Sequence, residues 1–213
     1  MTRKAFWSDP YCTTLDARVV RCDGPEIQLD TTIFFAFSGG QESDFGTIGG
    51  VTVQSARKMD RDIVYTLPND HGLKVGQNVT VEIDWERRYR LMRLHFAAEL
   101  VLEIFYRRLE GVGKVGAHVS QEKARIDFAW PESIASVLAA VSDEANAIIA
   151  SDVAIRTGFD DAVNERRYWE IEGFTRVPCG GTHVRRTGEI GPIRLKRNNI
   201  GKGKERVEIF LEE

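Results

Sequence analysis

Asn78-Val79-Thr80-Val81-Glu82-Ile83-Asp84-Trp85-Glu86-Arg87-Arg88-Tyr89 is where the chain changes character. Its first half alternates Val79, Val81 and Ile83 with polar neighbours, the period of a strand with one buried face. From Tyr89 to about Glu110 the apolar residues Leu91, Leu94, Ala98, Leu102, Phe105 and Leu109 recur at helical spacing instead, and Gly111 stops the pattern. The switch predicts an α+β chain: a small β-barrel-like domain over residues 1–88, then an α+β domain over 89–213.

Upstream, Val19-Val20, Glu26–Leu29, Thr31–Phe35, Gly50–Gln54 and Ile63–Thr66 are short runs rich in β-branched and aromatic residues. Turns at Asp23-Gly24, Asn69-Asp70-His71-Gly72 and Val75-Gly76-Gln77 separate them, which favours a small antiparallel barrel or sandwich. Downstream, Lys123 to Ala129 alternates as a strand, Pro131 to Ala150 is a predicted second helix with Pro131 in its first turn, and Val207–Leu211 is a closing strand.

The 213 residues, 42% hydrophobic and 29% charged, describe a soluble globular protein with room for a sizeable core. The formal net charge of −3 argues against a generally basic nucleic-acid binder. Between Arg176 and Arg206, however, nine basic residues face only Glu189 and Glu205, a local field able to attract phosphates. A solvated basic face is the plainer reading of the same composition. Cys12, Cys22 and Cys179 form no disulfide framework, which fits a reducing cytosol, and the N-terminus, broken by Asp9 and Pro10, is a poor signal peptide. No stretch approaches the roughly 20 apolar residues that span a bilayer.

Two clusters carry potential chemistry. His95 and Glu99 lie four apart on the predicted helix, one above the other at the edge of its apolar stripe. Cys179 and His183 are four apart across Gly180-Gly181-Thr182, where glycine permits a tight bend. Thiolate, imidazole and carboxylate are ordinary zinc ligands, so the four residues suggest one zinc-like ion. Either pair alone is more often a surface pair than a metal site, and the combination carries the signal. His71 and His118 read as turn and strand-edge residues.

These residues resemble, in order, the trans-acting alanyl-tRNA editing proteins of the AlaX family and the editing domain of alanyl-tRNA synthetase. The resemblance runs through the glycine-rich segment Phe37–Ile48 with its Gly39-Gly40-Gln41, then Asp84–His95, Ile126-Asp127-Phe128, Pro178-Cys179-Gly180-Gly181-Thr182-His183-Val184 and Thr187-Gly188-Glu189-Ile190-Gly191. It implies a zinc-dependent cytoplasmic hydrolase that removes a wrong amino acid, serine above all, from tRNA for alanine. It implies metal ligands at His95, Cys179 and His183, with Glu99 standing where the family carries a second helical histidine. A Glu99 ligand would lower the formal charge at zinc from +1 to zero (+2 from zinc, −1 from each anion), and Lewis acidity with it. Three readings of Glu99 stand open: a ligand, a catalytic base, or the mark of a lost activity.

Thr182 is placed to test the aminoacyl side chain, or simply to bond its own turn. Gly39, Gly40 and Gln41 are expected to reach toward the substrate, or to form a hairpin bend with positive φ. Arg87, Arg88, Arg90 and Arg93, with Arg185, Arg186, Lys196 and Arg197, are candidate contacts to acceptor-stem phosphates. Two rival functions remain open here: a non-catalytic tRNA-binding module with a structural zinc, and a zinc hydrolase of small amino-acid esters or amides. Nothing in the sequence sets an oligomeric state.

Overall fold

The computed structural model describes residues 1–212. The chain divides into two compact units, Met1–Tyr89 and Arg90–Glu213. It is a mixed α/β protein dominated by strands, and none of its helices is long and apolar enough to cross a membrane among the described residues.

The first unit holds β1 (Arg3–Lys4), β2 (Thr14–Asp23), β3 (Glu26–Leu29), β4 (Thr31–Thr32), β5 (Gly46–Ile48), β6 (Val51–Thr52), β7 (Ser55–Met59), β8 (Asp62–Thr66) and β9 (Asn78–Ile83). Seven of them form one sheet in the order β6-β5-β9-β2-β3-β8-β7, while β1 pairs in parallel with β4. The long β2 organises the sheet, pairing with β9 along Thr14–Arg18 and with β3 from Val19 to Asp23. Laid flat, the two edge strands would stand about 29 Å apart, six spacings of about 4.8 Å. Yet β6 and β7 are joined by Val53 and Gln54 alone, a reach of at most about 11 Å. Val53 donates its amide to Gly46 of β5, next to one edge, and Gln54 donates to Thr66 of β8, next to the other, so the sheet curls into a half-barrel. Val19, Ile27, Leu29, Ile33, Phe34, Ile48, Tyr65, Leu67 and Val81 fill it, all fully buried.

Two of the predicted strands are shorter than their composition suggested. Of Thr31–Phe35 only Thr31 and Thr32 are in a ladder. The following backbone is satisfied by side chains instead: Phe34 N–H donates to Thr32 Oγ1, Phe35 N–H to Asp44 Oδ2, and Ile33 C=O accepts from Arg88. Gly50–Gln54 contracts to Val51–Thr52 because the next two residues turn the corner between sheet edges.

α1 (Trp85–Arg108) starts at the expected switch. Asp84 caps it, its Oδ1 accepting the Arg87 amide at 3.0 Å while its carbonyl accepts from Arg88. Arg87 and Arg88, candidate phosphate contacts by sequence, are turned inward. Arg88 is 0% exposed and bonds Asp44, Ile33 and Pro10. Arg87 is 5% exposed, pairs with Glu42 and lies over the Phe45 ring. Neither presents its charge to a phosphate. Gly39 (φ 61°) and Gly40 (φ 89°) form a two-residue turn closed by reciprocal backbone bonds between Ser38 and Gln41. Gln41 is fully buried rather than displayed on a loop. His71 bonds Gly24 C=O and the Leu73 amide, a turn residue as expected.

The second unit continues with β10 (Gly113–Val119), β11 (Ala124–Ala129), α2 (Ala135–Ala150), β12 (Arg156–Asp161), β13 (Arg166–Ile171), β14 (Thr175–Pro178), β15 (Ile193–Gly201) and β16 (Lys204–Leu211). They make an antiparallel sheet β10-β11-β16-β15 and a smaller one, β12-β13-β14. The second helix begins at Ala135 rather than Pro131, where Ser133 Oγ accepts the Ala135 amide beside buried Ile134. α1 is not an edge helix with one stripe. Met92, Phe96, Ala97, Leu100, Val101 and Ile104 are fully buried along with Leu91, Leu94 and Phe105, the pattern of a central helix. Phe105 meets Phe128 of the large sheet and Phe96 meets Trp169 of the small one, each at 4.9 Å between ring centroids.

Candidate metal centre

His95 and Glu99 project from the middle of α1, and Cys179 and His183 from the segment that follows β14. The two segments converge because β14 delivers its end onto the helix. Pro178 pairs with Tyr168, the ladder runs one bond further as Cys179 N–H donates to Arg167 C=O, and the chain then turns at Gly180-Gly181. Beyond the turn the segment is pinned at its far side. Thr187 Oγ1 donates to Ile148 C=O near the end of α2, and Glu189 Oε1 accepts the amides of Arg185 and Arg186. The Thr187–Gly191 motif is thus an anchor for the loop.

The ligand atoms of His95, Cys179 and His183 all lie within 4.8 Å of one another. His95 Nε2 is 3.3 Å from Cys179 Sγ. Glu99 adjoins two of the three: its Oε1 is 3.9 Å from His95 Nε2 and 3.8 Å from Cys179 Sγ. Gly181 is a steric requirement of this packing, since a Cβ there would lie 2.5 Å from His95 Nε2. Gly181→Ala should therefore displace the imidazole, and if the cluster holds a zinc-like ion its affinity should fall about 10-fold or more, on the scale by which orienting contacts tune metal sites; competition with a chromophoric chelator measures it.

Burial governs protonation here. It holds the His95 imidazole below the usual range against the opposing charge of Glu99, and pushes His183 well below it, helped by His95 and Arg167. Burial, followed by the charge of Glu99, pushes the Cys179 thiol up to about 12. Near neutral pH the centre without an ion is thus a thiol and two neutral imidazoles, and a bound cation must displace the thiol proton. Among the described residues neither ring nitrogen of His183, both buried, has a hydrogen-bond partner, an arrangement that costs stability unless something binds the lone pair of one and accepts the N–H of the other. Two imidazoles and one thiol fit a zinc-like ion.

A cavity of about 420 Å³ opens beside this centre, bordered by Cys179, Gly180, Pro178, Arg166, Arg167, Asp160 and Glu165. Cys179 is the one donor of the three that borders it. The Arg167 guanidinium, buried, donates to Gly181 C=O at 3.3 Å and braces the turn. No pattern in the sequence marked Arg167, because its role depends on the register between β13 and β14. Thr182 is buried, at 1% exposed, between Gly181 and His183.

The remaining candidate phosphate contacts are dispersed. Arg93 donates to Ile190 C=O, and Arg90 to Gln121 C=O. Arg186 pairs with Asp152, and Arg197 makes a two-point pair with Glu205. Arg185 and Lys196 are exposed. Arg176 and Arg206 find Asp160 and Asp127, so much of the basic run is neutralised by acids distant in sequence.

Residues 167–208, a span that includes Cys179 and His183, match the family model described as the threonyl and alanyl tRNA synthetase second additional domain. Over 217 residues the chain is 37% identical to the alanyl-tRNA editing protein AlaX-M of Pyrococcus horikoshii, covering 100% of this chain and 99% of that protein. It is 32% identical over 233 residues to AlaX-M of Saccharolobus solfataricus, covering 97% and 98%. The alanine–tRNA ligase of Ignicoccus hospitalis is 34% identical over 233 residues, but there the match takes in 97% of this chain and only 26% of the ligase. With its whole length matched end to end by the free-standing proteins, the chain belongs to the AlaX-M family of alanyl-tRNA editing proteins.

Proposed function

We propose that this chain hydrolyses, in trans, the ester joining a wrong amino acid to the 3′ end of tRNA for alanine, with serine as the amino acid removed. One zinc ion is held by His95, Cys179 and His183, with Glu99 beside them. The observation that carries the reading is the cluster itself, in which the ring nitrogens of His183 are buried with no hydrogen-bond partner among the described residues, leaving one free to ligate an ion. Bound there, zinc supplies Lewis-acid chemistry to an ester and its attacking water.

The chain's own residues account for binding and choice. The cavity beside Cys179 receives the aminoacyl end, with Arg166, Arg167 and Gly180 on its wall. Thr182 is the proposed selector. A hydroxyl at this position that bonds the hydroxyl of serine would give the seryl ester a contact that the alanyl ester lacks, so the correct product is spared. Residues 89–213 form the proposed editing domain and residues 1–88 the half-barrel with its glycine turn. Arg93, Arg185, Arg186, Lys196 and Arg197 remain the proposed acceptor-stem contacts, for which the outward-facing Arg185 and Lys196 are best placed.

Deacylation of tRNA for alanine charged with serine, run beside the same tRNA charged with alanine, tests this reading. The seryl form should be cleared at least about 10²-fold faster, and Thr182→Val should narrow that ratio, as expected when a hydrogen-bonding site loses its polar group. Equal clearance of both forms by the parent would remove Thr182 from its assigned role. Equal turnover of a small aminoacyl ester and intact tRNA would favour a small-ester hydrolase.

A further inference from the structure

Glu99 has a partner that fixes which of its oxygens can face the metal centre. The indole Nε1–H of Trp169 donates to Glu99 Oε2 at 2.9 Å. Trp169 sits on the central strand of the small sheet, in register with Thr157 on one side and Val177 on the other, and is 0% exposed. Its ring is held edge-on against Phe96 at 4.9 Å, and Phe96 packs in turn against His183 at 5.7 Å. An indole N–H is a donor only, and a buried one needs an acceptor. An ionised carboxylate is the strongest acceptor available to it.

We propose that Trp169 is a positioning residue that turns the Glu99 carboxylate so that Oε1 alone addresses His95 and Cys179, which makes Glu99 a one-oxygen fourth donor rather than a water-activating base. The two oxygens have different surroundings. Oε2 is engaged by the indole, whereas Oε1 lies 3.8 Å from Cys179 Sγ and 3.9 Å from His95 Nε2, within reach of an ion shared with them. A base would instead need an oxygen directed at water on the cavity side, and neither Glu99 nor Trp169 borders that cavity. The pairing also accounts for a carboxylate at this helical position: the same side chain serves the indole with one oxygen and the centre with the other. This is the outer-sphere arrangement in which a donor orients a metal-binding carboxylate.

The inference rests on the metal reading above and is tested apart from catalysis. Zinc affinity is measured by competition with a chromophoric chelator, and the donor set by the visible absorption of the cobalt(II)-loaded chain. Trp169→Phe should weaken zinc binding about 10- to 100-fold and change the cobalt spectrum. The same substitution made in a Glu99→Ala background should change affinity less than about 3-fold, since a residue acting through Glu99 has nothing left to orient. Parent-like affinity and spectrum in Trp169→Phe, with a parent that binds zinc, would overturn the positioning role and leave the metal reading standing. A folded parent that binds neither metal would overturn both.

Trp169 is a core residue whose replacement also removes buried packing, so a second measurement leaves it in place. In a chain labelled with nitrogen-15 tryptophan, one of the four indole N–H resonances should shift on zinc binding and again in Glu99→Gln. Four unmoved resonances would overturn the proposal.

Discussion

Cys179→Ala is expected to lose its bound ion and to lower deacylation by about 10³-fold or more, the scale on which one member of a catalytic unit matters, while the chain stays folded. Cys179 is the one residue of the cluster that can bring a negative charge to a cation without the help of Glu99, and the one that borders the cavity. The backbone around it does not depend on the sulfur. The Cys179 amide bonds Arg167 C=O, the Gly181 carbonyl is braced by Arg167, and the loop is tied down through Thr187. The variant should therefore give a parent-like circular dichroism spectrum and a melting temperature within a few degrees. Loss of the fold together with the ion would mean that the metal is structural, and the family resemblance would then describe a binding module.

The second large effect lies in the half-barrel. Asp44→Ala should destabilise the chain by about 3–5 kcal/mol, because it strands a buried guanidinium. Arg88 and Asp44 are each 0% exposed at the side chain, and the pair is bidentate, with Arg88 Nε on Asp44 Oδ1 at 2.8 Å and a second, shorter bond from Nη2 to Oδ2. The Arg88 side chain also donates to Ile33 and Pro10 carbonyls, and Asp44 Oδ2 accepts the Phe35 amide. Removing the carboxylate thus leaves a charge and a backbone amide uncompensated. Urea unfolding of Asp44→Ala, of Arg88→Met and of the double variant measures the effect. The double variant should be less destabilised than the sum of the singles, since the remaining charge is removed as well. A loss below about 1 kcal/mol in Asp44→Ala would show that water reaches the guanidinium, as at surface pairs.

That pair marks a limit of reading the sequence. Glu86-Arg87-Arg88 has the composition of a solvated face, and the carboxylates that draw the arginines inward lie more than forty residues upstream. In the basic run from Arg176 to Arg206, three of the charges are likewise paired with acids, Asp127, Asp152 and Asp160, that lie outside the window. The small sheet was also invisible to periodicity. β12 reads Arg156-Thr157-Gly158-Phe159-Asp160-Asp161 and is exposed along most of its length, so no apolar alternation announces it. Its neighbour β13 buries Trp169 and Ile171, yet nothing local says that the indole will meet Glu99 seventy residues away. What local physics does set was legible: the strand run ending at Ile83, the stop at Gly111, and the pairing of a helical His95 with a glycine-hinged Cys179 and His183. The single apolar stripe on α1 was a partial reading, because a central helix shows several such stripes at once.

The central claim is that the cluster of His95, Cys179 and His183 holds an ion needed for editing. Its most direct test is the rate of deacylation of tRNA for alanine charged with serine, followed with the chain as zinc-loaded protein, after removal of metal by a chelator, and after return of one equivalent of zinc. The expected result is rapid loss of serine with the loaded chain, near-background rates without metal, and recovery at one zinc per chain. Undiminished deacylation by a chain shown to be free of metal would contradict it.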